Sequence, residues 1–215
     1  MRYELLIFDW DGTLANSAGQ IVATLQDAIR ALGLPPREDR EIADLIGLSI
    51  VDGVRRLYPE YDPGEVLKLI AGYRELAPAQ TFRTLLFDGA ADALAHLHGG
   101  GYRLAIATGK PRVGLDRSLE YHPRLQRLFS ITRCADESAD KPHPLMLEQI
   151  LAETGVTPER ALMIGDTEYD VEMARAIGVT ALGVACGVHT SDRLLRAGAC
   201  AVVADVGAIP DWLSA

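Results

Sequence analysis

Short apolar, β-branched runs recur along this chain with helical patterns between them, and that alternation is the strongest constraint on its fold. The runs lie at Glu4–Phe8, Arg103–Thr108, Ser130–Cys134, Ala161–Ile164, Ala181–Ala185 and Ala201–Ala204. Several are continuously apolar, the pattern of parallel strands covered on both faces. Helical spacing fills the intervals at Ala90–Leu97, Arg112–Leu119, Pro144–Thr154, Tyr169–Ile177 and Asp192–Ala197. Gly155, Gly178 and Gly198 each follow such a pattern, where a helix C-cap turns left-handed. Strand, helix and strand in repetition predict an α/β fold with a doubly wound parallel sheet.

Residues 15–81 interrupt the rhythm. Ile21, Val22, Leu25, Ala28, Ile29 and Leu32 keep a helical spacing until Pro35 and Pro36 stop it. Further helical patterns follow at Glu41–Ile46, Val51–Leu57 and Gly64–Leu76, and no strand pattern accompanies them. The span reads as a helical unit inserted directly after the first strand. The core is then 1–14 and 82–215, with the α/β pattern resuming near Phe82.

Bulk properties narrow the partners. A net charge of −9 argues against nucleic acid, whose phosphates select basic faces. No apolar run approaches the ~18 residues of a membrane span, and the N-terminus lacks the pattern of a secretory signal. Cys134, Cys186 and Cys200 stand apart with no CxxC pair, which argues against zinc and a disulfide framework and for reduced thiols in a cytoplasmic protein. A small-molecule partner is expected, with the chain a monomer or a weak homodimer.

Chemistry-bearing residues collect at one kind of position. Asp9 and Asp11 end the first apolar run. Thr108 ends the second and is followed by Gly109 and Lys110; Lys141 lies just past the third. Asp166 ends the fourth, with Asp170 four residues on. All fall at the carboxyl ends of expected parallel strands, the edge where open α/β sheets bind ligands. Asp-Gly by itself is ordinary turn chemistry, but the assembly is complementary. Carboxylates crowded together raise one another's pKa or demand a cation, and Mg²⁺ suits a site of carboxylates, waters and substrate phosphate. Thr108 and the Gly109 and Lys110 backbone N–H groups are candidate donors to phosphoryl oxygens, and Lys141 supplies a fixed positive charge.

At this point a family resemblance is visible. "DWDGTL" resembles the DxDGT signature of the haloacid dehalogenase (HAD) superfamily, and "ATGK", "ADKPHP" and "GDTEYD" resemble its later motifs in the same order. Within it, the chain is most similar to the phosphoglycolate phosphatase and β-phosphoglucomutase branch. The resemblance implies a Rossmann-like core with a helical cap over residues 15–81. It implies Asp9 as the nucleophile that forms an aspartyl-phosphate and Asp11 as the general acid and base. Asp9, the Asp11 backbone carbonyl and Asp166 would hold Mg²⁺, with Asp170 hydrogen-bonding outside them or, alternatively, touching the metal directly or through water. Thr108 and Lys141 would hold the phosphoryl group. The activity implied is hydrolysis of a small phosphomonoester, phosphoglycolate leading; the alternative is a sugar-phosphate mutase on the same scaffold. A catalytically dead binding protein is disfavoured by the intact Asp9, Asp11, Lys141 and Asp166. Gly109 departs from the pattern, since many relatives carry Asn there.

Other signals carry less. "TGKP" lacks the glycines of a P-loop, and Gly99–Gly101 reads as a turn. His143 reads as a surface residue near a helix start, and His189 as lying on a loop at the same sheet edge. Tyr58, Tyr61 and Tyr73 read as packing residues of the insertion. Arg55, Arg56, Lys68 and Arg74 read mainly as a solvated face. Gly47, Leu48 and Ser49 resemble the cap loop that touches substrate in relatives.

Overall fold

The structure, a computed structural model, describes residues 2–81 and 85–215. The expected return of the α/β pattern near Phe82 lies outside them.

Strand β1 (Leu5–Phe8) is followed by four helices, α1 (Ala18–Ala31), α2 (Asp39–Ala43), α3 (Ile50–Leu57) and α4 (Pro63–Thr81). Alternation then takes over: α5 (Ala90–Gly99), β2 (Arg103–Thr108), α6 (Arg112–Glu120), α7 (Pro123–Gln126), β3 (Phe129–Cys134) and α8 (Leu145–Thr154). The chain ends with β4 (Ala161–Gly165), α9 (Glu168–Arg175), β5 (Thr180–Val184), α10 (Ser191–Ala197), β6 (Ala201–Val203) and α11 (Ile209–Ser214). The six strands form one sheet in the order β3-β2-β1-β4-β5-β6. Every pairing is parallel.

The apolar runs are continuous because both faces of the sheet are covered. Successive side chains point to opposite faces. Leu6, Phe8, Leu104, Ile106, Leu162 and Ile164 therefore pack in one layer with Leu94 and Leu97 of α5 and Leu115 of α6. Leu5, Ile7, Ala105, Ala107 and Met163 face the other way, onto Leu147 and Ile150 of α8 and Val171 of α9. Each fully buried Leu or Ile contributes roughly 1.5–3 kcal/mol.

Helices α1–α4 bury a cluster of their own, centred on Leu25, Ile29, Val54, Leu69 and Ile70. The chain leaves and re-enters the sheet side by side. Asn16 N donates to Leu85 O (2.8 Å), and Phe87 N donates to Leu14 O (3.0 Å).

All six expected strands form, within a residue or two. Three helical details differ. The helix expected over Glu41–Ile46 instead spans Asp39–Ala43. Glu41 reaches back to the Glu38 N–H (2.7 Å) and starts it early, while Gly47, at φ +102°, turns the chain beyond it. The helix before Gly178 is capped at Ala176, so that glycine lies beyond the cap. Short α7 and α11 have no counterpart in the expectation; each carries a proline in its first turn. Among the described residues no helix is long and apolar enough to cross a membrane.

Candidate active site

The strand order explains why distant residues meet. β1 lies between β2 and β4, so the residues that follow these strands share one edge. Asp9 follows β1 and is buried. Its Oδ1 accepts from Lys141 Nζ at 2.7 Å. Its Oδ2 is buried with no hydrogen-bond partner among the described residues. Lys141, in the loop beyond β3, is 1% exposed and also donates to Asp170 Oδ1 at 2.6 Å. Burial alone would lower the lysine pKa, but Asp170 and Asp9 outweigh it and hold the ammonium above its ordinary value.

Asp166 is completely buried after β4. Its Oδ1 accepts from Thr13 Oγ1 (2.8 Å) and its Oδ2 from the Val188 N–H (3.0 Å). Asp170 commits its second oxygen to the Thr167 N–H (3.2 Å) and Oγ1 (2.7 Å) at the start of α9. Asp9, Asp166 and Asp170 each offer a carboxylate oxygen within 4.8 Å of the others. Burial pushes the Asp9 carboxyl well above its usual range, opposed by Lys141 and reinforced by Asp170 and Asp166. Burial and then Asp170 push Asp166 up to about 7.

Glycines make room for this cluster. A Cβ at Gly187 would stand 2.0 Å from Asp166 Oδ2, and one at Gly12 2.3 Å from the same oxygen. At Gly165 it would stand 2.3 Å from Asp170 Oδ2. Thr13, Gly165 and Gly187 escaped the sequence reading. Thr13 lies inside the first motif and Gly165 directly before Asp166; for Gly187 no sequence signal pointed here.

Asp11 forms a second group. Its Oδ1 accepts from Ser17 Oγ (2.7 Å), and its two oxygens accept from Lys110 Nζ at 2.9 and 2.8 Å. Lys110 was expected to offer its backbone N–H to a phosphoryl group. That N–H instead donates to Thr108 Oγ1 (3.2 Å), and the side chain engages Asp11. Gly109 has a steric reason for lacking a side chain: a Cβ would stand 2.5 Å from Gly47 O and 2.6 Å from Leu48 O. The loop before α3 is therefore seated directly on it.

Two polar contacts flank that seat. Ser49 Oγ donates to Asp140 Oδ2, next to Lys141. Asp44, after α2, pairs with Arg193 of α10, which also holds Glu168. Tyr169 Oη donates to Asp44 O (3.0 Å). His189 is buried on the loop expected for it, but it serves this contact. Its Nδ1 accepts from the Glu168 N–H (3.0 Å), so Nε2 carries the proton and donates to Asp44 O (3.2 Å). His143 is exposed.

Between the helical layer and the sheet edge lies a cavity of about 460 Å³. Asp9, Asp11, Thr108, Gly109 and Lys110 form its inner end; Lys141, Asp166 and Asp170 lie against Asp9. Tyr58 and Tyr61 stack at 4.7 Å and serve packing. Tyr73 differs, for it lines the cavity, and burial together with the Asp11 charge raises its phenol pKa. Of the four basic residues read as a solvated face, Arg74 lines the cavity, and the Arg56 guanidinium lies over the Tyr169 ring, 5.3 Å from its centroid.

The donor set fits a hard divalent cation. Three buried carboxylates share one ammonium, two of them are pushed towards their neutral forms, and Asp9 keeps an unpartnered oxygen. An oxygen-loving ion relieves all three conditions.

A polar site on the carboxyl edge of a doubly wound sheet defines a broad class of α/β enzymes. Within that class the assignment is specific: the family model for haloacid dehalogenase-like hydrolases matches residues 6–184, and the chain belongs to that family. It is 35% identical over 199 residues to a protein of Dickeya dadantii named probable phosphatase IndB, covering 90% of this chain and 86% of that one. It is 29% identical to a phosphoglycolate phosphatase of Synechococcus elongatus, covering 98% of this chain and 92% of that one. A crystal structure of a hydrolase from Pseudomonas syringae shares the fold, with a TM-score of 0.89 at 24% identity over 99% of this chain and 98% of that one.

Proposed function

We propose that this hydrolase cleaves a phosphomonoester in two displacements at Asp9, with the helices of residues 15–81 acting as a cap over the site. The observation that carries the reading is Asp9 itself, with one oxygen held by Lys141 and the other buried without a partner beside Asp11. In the first step a carboxylate oxygen of Asp9 bonds to phosphorus while the ester P–O bond breaks. Asp11, as general acid, gives a proton to the leaving oxygen. In the second step a water oxygen bonds to phosphorus and the aspartyl–phosphorus bond breaks. Asp11 takes the proton from that water, and Asp9 returns to a carboxylate.

Lys141 orients Asp9 and neutralises the approach of two anions. Thr108, which lines the cavity beside Asp9, would donate its hydroxyl to a phosphoryl oxygen. Lys110 leaves Asp11 when substrate enters and meets the phosphoryl charge. Asp9, the Asp11 carbonyl and Asp166 would hold Mg²⁺, which supplies the positive charge that offsets phosphate and carboxylates. Asp170, both oxygens already engaged, positions Lys141 and the start of α9.

Phosphoglycolate, named in several relatives, is the first compound to assay. The test is release of inorganic phosphate from a panel of phosphomonoesters with Mg²⁺ and with EDTA. Hydrolysis should require the cation and vanish in Asp9→Asn. A folded Asp9→Asn preparation that keeps full turnover removes Asp9 from the reaction.

A further inference from the structure

The cavity above Asp9 has two unlike regions. Its inner end is polar. Its helical side is mainly apolar: Leu25, Ile42, Ile46, Leu48, Val54 and Tyr73 line it there. At about 460 Å³ it has room for roughly fifteen waters at ~30 Å³ each. A two-carbon acid would leave most of that space wet and apolar.

Charge points the same way. Among the described residues, the cationic side chains that line the cavity are Arg74, Lys110 and Arg117. Lys110 is matched to Asp11 and stands nearest the phosphoryl position. Arg74 and Arg117 are exposed, at the solvent side. A carboxylate one carbon from the ester oxygen would therefore sit against apolar walls, where an unpaired charge is costly. Uncharged hydroxyls have Ser49 and Ser118 within the lining.

We propose that the preferred substrate is a phosphomonoester whose leaving alcohol carries an uncharged, mainly apolar body that fills this cavity, rather than a short acid. The inference rests on the phosphatase reading of the inner end. It assigns the walls contributed by α1–α4 the task of recognising the alcohol by burial of its surface.

Two measurements test it separately from that reading. The first is kcat/KM for n-alkyl phosphates from ethyl to hexyl, with isobutyl phosphate set against its near-isostere phosphoglycolate. The expected result is a gain of about fourfold per methylene until the cavity is full, the worth of one buried methylene. Isobutyl phosphate should exceed phosphoglycolate by at least about tenfold, by the cost of an unpaired carboxylate in an apolar wall. The second is calorimetric affinity for the matching alkylphosphonates, which are not hydrolysed. It should rise along the same series. Leu45→Gln and Ile50→Gln, on half-buried wall positions, should each flatten both series while circular dichroism shows them folded.

A flat series, or phosphoglycolate turned over best, overturns the proposal while leaving the phosphatase intact. Affinity that rises with chain length without any hydrolysis supports the pocket assignment and rejects the phosphatase reading instead.

Discussion

Lys141→Met isolates what the buried ammonium does. Methionine keeps much of the volume of a side chain that is 1% exposed, so the change is chiefly one of charge. Asp9 and Asp170 lose partners at 2.7 and 2.6 Å. Breaking a buried ion pair from one side costs about 3–5 kcal/mol. At this chain length each kcal/mol shifts the melting temperature by about 2–4 °C, so the expected drop is roughly 6–20 °C. The carboxylates can relieve the cost by taking up protons, which sets the pH dependence. Asp9 in the folded protein already titrates well above its unfolded 3.8, and loss of Lys141 raises it further. Its contribution is present below 3.8 and is lost as pH rises through the folded value. The gap between wild type and variant should therefore widen from pH 5 to pH 8. Thermal melts by circular dichroism in EDTA at both values measure it. A drop of less than ~3 °C at pH 8, or a gap that stays constant, refutes the electrostatic account of the cluster.

Adding Mg²⁺ to EDTA-stripped protein should raise the melting temperature, by the equivalent of ~2.7 kcal/mol at one hundred times Kd. The increment should grow with pH towards and past 7, because Asp166, pushed up to about 7, ionises there and the metal-free fold bears the repulsion. Asp166→Asn should shrink the increment; an unchanged one would place the ion elsewhere. Gly109→Ala inserts a Cβ within 2.6 Å of two carbonyl oxygens of the loop above it. The expected cost is about 1–3 kcal/mol with a higher KM, and wild-type melting and kinetics would show that the loop does not rest there. His189 is buried and neutral, with its pKa held below 6.5 chiefly by burial and then by Arg193. Its contribution is present above 6.5 and is lost as pH falls from there towards the folded value. His189→Gln should show a shallower fall in melting temperature between pH 7 and 5, and an identical fall would exclude the histidine.

Much of the architecture is legible before any coordinates. Parallel strands covered on both faces leave little choice but continuous apolar runs, so Leu5–Phe8 and Ala161–Gly165 stand out. The site follows from the strands, because Asp9, Thr108, Lys141 and Asp166 all lie just beyond their carboxyl ends. Less legible is what depends on close approach. Gly109 reads as a lost amide side chain; only the packed structure shows that the Gly47 and Leu48 carbonyls occupy that space. Gly187 is ordinary loop sequence until Asp166 is placed against it. Lys110 was read through its backbone, because nothing local reveals that its ammonium reaches Asp11, 99 residues away in sequence. The contact of Asp44 with Arg193 spans 149 residues and has no periodicity to announce it.

Ser17 bears on how such proteins are recombined. It stands immediately before α1, yet its hydroxyl is bonded to Asp11. A chimaera that exchanges the helical segment with a relative's should be spliced downstream of this serine. A graft made two residues earlier would import a foreign neighbour for Asp11, the general acid proposed above, and confound any altered selectivity with a change at that carboxylate.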